Sequence, residues 1–81
     1  MNDAKDTTKE SISIEVVYAL AHRQDLVRIE LSIGSTLQQA IEKSGLPEKY
    51  PEIDLAKNKF GIFGKLGKLD SILRARDRVE I

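Results

Sequence analysis

Eighty-one residues make one small domain, which buries only about 60–65% of the surface its unfolded chain would expose. With 41% hydrophobic and 32% charged residues at zero net charge the composition is that of an ordinary folded domain, and no apolar run approaches the ~20 residues a membrane helix needs. The absence of cysteine excludes disulfides, thiol nucleophiles and thiolate metal sites; it fits a reducing compartment, and cytoplasm is the expected location.

Met1–Ser11 is polar, lacks periodicity and has no apolar stretch of the kind a signal peptide carries, so it is expected to be a disordered tail. Ile12–Leu20 alternates, with Ile12, Ile14, Val16, Tyr18 and Leu20 on one face and Ser13, Glu15, Val17 and Ala19 on the other. That is a strand with one face on a core. After a polar connection Ala21–Asp25, a second strand is predicted over Leu26–Ile33, with Val27, Ile29, Leu31 and Ile33 inward and Arg28 and Glu30 outward. The short spacing argues for an antiparallel hairpin.

Ser35–Gly45 is the clearest helix. Leu37, Ala40, Ile41 and Ser44 recur at helical spacing, while Gln38, Gln39, Glu42 and Lys43 cover the other side. Ser35 and Thr36 each precede a Gln by three residues, so either can close a capping box. Gly45 supplies the left-handed stop and Pro47 prevents continuation. The pattern then turns irregular: Pro47 and Pro51 bracket a loop with one short helical turn. Lys59–Phe63 reads as a strand, Gly61, Gly64 and Gly67 crowd a turn, a short edge strand follows, and Arg78–Ile81 closes the chain as a strand with Val79 and Ile81 inward. The expected core is Ile14, Val16, Tyr18, Val27, Ile29, Leu31, Leu37, Ala40, Ile41, Ile62, Leu73 and Val79, with Phe60 also expected to face inward.

Nothing divides residues 12–81, which are read as a single domain. The order ββαβ(β)β, with one helix on one face of a mixed sheet of four to five strands, is the β-grasp arrangement of the α+β class. The first and last strands are the most apolar, so they should lie side by side in mid-sheet, as a parallel pair joined by the long intervening crossover.

Several stretches together resemble the RnfH family, also called RatB, of small bacterial ubiquitin-like proteins. They are Ile14–Leu20, Ser44-Gly45, Tyr50-Pro51-Glu52-Ile53-Asp54-Leu55, Asn58–Lys65 and Leu73 through Ile81. The resemblance implies a β-grasp fold in a bacterial cytoplasm, association with an electron-transport operon or a START-like operon partner, and no catalytic residue. Three departures are visible. Ala21 stands where the family has proline, and Arg76 where a glycine is common, which strains that turn if it requires a positive φ. The family strand also runs on through a Tyr-Arg-Pro-Leu segment beyond the position of Ile81, so a C-terminal tail is expected to be missing.

Motifs for chemistry are weak. His22 has no Cys or second His to complete a metal site or a triad and reads as a solvated turn residue. Gly61–Gly64 and Gly64–Gly67 match a bare GxxG but end a strand, and Gly61–Lys68 lacks the spacing and hydroxyl of a phosphate loop. Glu52 and Asp54 flank a loop isoleucine and have no burial that would fit them for acid–base work. No enzymatic activity, cofactor or metal is expected.

Charge is unevenly placed: residues 1–56 hold six Lys/Arg against ten Asp/Glu (net −4), residues 57–81 seven against three (net +4). Such a layout steers partners. The favoured reading is a protein-interaction module using the open face of the sheet. Its candidate contact residues are Glu15, Val17, Arg28, Glu30, Arg78 and Glu80, with Arg74 and Arg76 as a charged rim; mixed charges at this spacing are also what solvated cross-strand pairs look like. A second reading is RNA contact in the manner of TGS domains through Lys57, Lys59, Lys65, Lys68, Arg74, Arg76 and Arg78, with Phe60 or Phe63 as stacking platforms. A third is a sulfur carrier, disfavoured because the chain reads Val79-Glu80-Ile81 where a terminal Gly-Gly is needed. A monomer, or a weak dimer through an edge strand, is expected, without membrane insertion.

Overall fold

The computed structural model describes residues 11–81. The expected tail therefore lies outside the described residues, save Ser11, which belongs to the sheet and pairs with Ser32. The elements are β1 (Ser11–Ala19), β2 (Gln24–Ser32), α1 (Leu37–Ser44), α2 (Leu46–Lys49), β3 (Phe60–Ile62), β4 (Lys65–Gly67) and β5 (Arg78–Glu80).

One five-stranded sheet runs in the order β2-β1-β5-β3-β4. β1 and β2 form an antiparallel hairpin with Val16 opposite Val27 and Glu15 opposite Arg28. β5 joins β1 in parallel, Val16 beside Val79, and β3 pairs antiparallel to both β5 and β4. The last strand thus sits in the middle, where its apolar side chain is covered on both flanks.

Thr36 is the residue that caps α1. Its hydroxyl accepts from the Gln39 N–H at 3.3 Å, and the Gln39 side chain accepts from the Thr36 N–H at 2.8 Å. Gly45 ends the helix at φ 78°, a left-handed conformation cheap only for glycine. A second tie comes from Leu73, whose N–H donates to the Ser35 C=O at 2.9 Å and holds the helix entry against residues 71–73.

Leu37, Ala40 and Ile41 are fully buried against Ile14, Val16 and Val79 in one core on the helix side of the sheet. Ile12, Leu46, Ile53 and Phe60 join them, and of these Ile12, Leu46 and Ile53 extend the expected core. Tyr18, Val27, Ile29 and Ile62 are only partly buried; β2 is an edge strand, so no strand among the described residues covers the outer flank of Val27 and Ile29. Ile33, expected inward, is 62% exposed. β2 stops at Ser32, whose C=O accepts from Ser35 N–H, and Gly34 at φ 93° turns the chain away before Ile33 reaches the core.

Candidate interaction face

Alternation in β1, β2 and β5 sends Glu15, Val17, Arg28, Glu30, Arg78 and Glu80 to the sheet face opposite α1. Three of them meet. Glu15 lies between Arg28 on β2 and Arg78 on β5, its Oε2 3.2 Å from Arg28 Nε and its Oε1 3.2 Å from Arg78. The hydrogen bond from Arg78 is the larger cause that holds the Glu15 carboxyl below its ordinary 4.5; partial burial opposes it, and Arg28 adds to it. A carboxylate kept ionised this way is a poor general base and a good fixed counter-charge.

Arg76 reaches the same place from the β5 approach. Residues Arg74–Asp77 form a turn closed by the Asp77 N–H on the Arg74 C=O at 3.1 Å and by the Arg74 N–H on the Asp77 carboxylate at 2.8 Å. The Arg76 N–H donates to the Ser13 C=O at 2.8 Å, which fixes the turn against β1. Arg76 is held at φ 70°. Its side chain, with Ser13, Glu15 and Arg28, lines an open cleft of about 240 Å³. One carboxylate therefore answers two guanidinium groups, Arg76 lines the same cleft, and Arg74 is exposed in the turn that holds it.

The other expected contacts are used differently. Val17 is only 5% exposed, flanked by Leu26 and Glu80 at its cross-strand positions, so it is no open apolar centre for a partner. Glu80 turns toward β3, where its Oε1 accepts from the Gly64 N–H at 3.0 Å. Glu30 is exposed, and its C=O accepts from Lys43 Nζ at 2.8 Å. Of the two stacking candidates for RNA, Phe60 is buried in the core and only Phe63 remains outside. Glu52 and Asp54 serve the local fold: Glu52 accepts from the Tyr18 hydroxyl, and Asp54 accepts from the Ala56 N–H.

A second polar cluster escaped the sequence reading. The Tyr50 hydroxyl donates to Asp25 at 2.8 Å and accepts from Arg23, Lys49 Nζ sits 2.8 Å from the same Asp25 carboxylate, and the Tyr18 and Tyr50 rings meet edge-on at 4.9 Å. It clamps the tip of the first hairpin to the segment after α2. The only signal was a pair of tyrosines beside opposite charges, separated by too much sequence to be linked. No group of His, Cys, Asp and Glu among the described residues is arranged to hold a metal, and no helix there is long and apolar enough to cross a membrane.

Residues 12–81 match the family model described as RnfH family Ubiquitin. A protein named Protein RnfH from Paraburkholderia xenovorans is 51% identical over 70 residues, which cover 86% of this chain and 64% of its own length. Another Protein RnfH, from Laribacter hongkongensis, is 50% identical over 74 residues, covering 91% of this chain and 68% of the relative. The chain thus spans somewhat less than two thirds of the Paraburkholderia relative. Among solved structures, a Haemophilus influenzae protein crystallised as a 3D domain-swapped dimer superposes with a TM-score of 0.61 at 44% identity, covering 88% of this chain and 89% of that one. A Pyrococcus furiosus protein described as a molybdopterin converting factor subunit 1 gives a TM-score of 0.64 at 23% identity, covering 85% and 93%, and shows the shared fold alone.

Proposed function

Because the chain belongs to the RnfH family of ubiquitin-like proteins, we propose that it is a non-catalytic interaction module that docks a partner protein on the sheet face opposite α1. The observation that carries this reading is the excess of guanidinium groups about Glu15. Arg28 and Arg78 share one carboxylate, while Arg76 is held at a cleft lined by Glu15 and Arg28, in a turn that its own side chain makes costly. Such a site receives an acidic side chain of a partner, and the exposed Arg74 adds attraction that mainly raises the association rate. Glu15, fixed as an anion, keeps the arginines apart and extended rather than moving protons.

The test is capture from a bacterial lysate with the chain as bait, followed by purified prey. An electron-transport component and a START-like operon product are the first preys to purify, as the partner classes implied by the family resemblance. Arg74→Glu with Arg76→Glu reverses the rim and leaves the backbone hydrogen bonds of the turn in place. Capture should be lost while the circular dichroism spectrum stays native. Undiminished capture by the folded double variant would remove this face from the reading. Val17 is left unaltered in this test because a charge there would enter a covered position.

A further inference from the structure

We propose that the edge of β2, unpaired by any strand among the described residues, is a homodimer interface in which two copies pair antiparallel about Ile29, extending the sheet across the two-fold axis. Which main-chain groups of β2 are free follows from β1. The Ser13 C=O accepts from Arg76, the Glu15 N–H donates to the Asp77 C=O, and the Val17 C=O accepts from Ile81. Those three residues thus turn their main chain toward β5. Their partners across the hairpin, Glu30, Arg28 and Leu26, must turn theirs away from β1 to the open edge. Lys43 confirms the direction by donating its ammonium to the Glu30 C=O at 2.8 Å. Nine residues long, β2 offers a longer edge than the three-residue β4 on the far side.

Charge complementarity then selects both the occupant and the register. In a two-fold pairing of β2 with itself, centring on Arg28 sets Arg28 against its own copy, and centring on Glu30 sets Glu30 against its own copy. Centring on Ile29 sets Arg28 opposite Glu30 twice, once on each side of the axis. The same register puts Ile29 against Ile29 and Val27 against Leu31 on the helix side, where Val27 and Ile29 are left half-covered in a single copy. Like charges directly opposite destabilise a ladder and unlike charges support it. Lys43 acts as a guard that must release the Glu30 carbonyl before the edge is shared.

The experiment is sedimentation of the whole chain over a concentration series, with R28E, E30R and K43M variants. The wild-type chain should self-associate as concentration rises, and R28E or E30R alone should weaken this about tenfold by turning both pairs into repulsions. Mixing R28E with E30R should restore association, since the mixture recreates two opposite-charge pairs. K43M should tighten the dimer about threefold by freeing the Glu30 carbonyl. R28E also removes a partner of Glu15, so E30R and K43M carry the test if R28E is unfolded. Amide exchange gives a second measurement: the N–H groups of Leu26, Arg28 and Glu30 should slow with concentration. A chain that stays monomeric even as K43M, a dimer indifferent to E30R, or amides at these positions unaffected by concentration would each overturn the proposal. Neither Arg28 nor Glu30 is altered in the partner-capture test, so the two readings fail separately.

Discussion

Arg76 and Phe63 hold left-handed backbone at φ 70° and φ 51°, where a Cβ meets the following carbonyl. For Arg76 the cost was legible in the sequence, because the family resemblance implies a glycine before Asp77 and arginine stands there. Arg76→Gly should raise the unfolding free energy by about 1 kcal/mol in urea titrations, the left-handed penalty being removed. For Phe63 it was not legible: Gly61-Ile62-Phe63-Gly64 reads as a glycine-rich turn, and nothing in the pattern says that the phenylalanine, rather than a glycine, occupies the first left-handed position. Glu15 yields a prediction in pH. Its folded carboxyl is held below 4.5, chiefly by Arg78, so its share of stability is complete above 4.5 and is lost as pH falls through the lower folded value. Glu15→Gln should therefore flatten the acid limb of the urea midpoint against pH. Asp25, held below its ordinary 3.8 first by Lys49, should leave a residual slope in that variant.

Among the elements, α1 was legible almost to the residue, since its stop and its buried stripe are local chemistry. Only the choice between Ser35 and Thr36 needed the fold: the Leu73 N–H claims the Ser35 C=O, and Thr36 is left to begin the helix. Thr36→Ala should cost about 1 kcal/mol in urea titrations by removing the hydroxyl that accepts from the Gln39 N–H, while the main-chain half of the capping box persists. Ile41→Ala, at a position with no exposure, should cost about 2–5 kcal/mol, and a loss near zero in denaturant melts would mean that this helix face does not pack on the sheet. The end of β2 was misread because Ile33 continues an alternation that Gly34 cuts short. Leu46 and Ile53 were missed for the opposite reason. They are buried from the Pro47–Pro51 region, where no period exists to mark a face, and their burial is decided by what the loop packs on.

At the scale of the whole molecule, strand alternation was enough to say which charged residues share a face. It was not enough to say that Val17 is covered or that Glu80 turns to Gly64, because both depend on how neighbouring strands lay their side chains across the sheet. The parallel pairing of β1 with β5 has a consequence in time. Glu15 and Arg78 stand 63 residues apart, and every contact of the central strand waits until β5 has left the ribosome. Until then the hairpin of β1 and β2 carries a vacant inner edge, already in the register that β5 will fill. At high local density of nascent chains, that vacancy is filled by whichever copy of β5 arrives first. The order of synthesis thus leaves an opening for strand exchange between chains, which closes only when each chain captures its own β5.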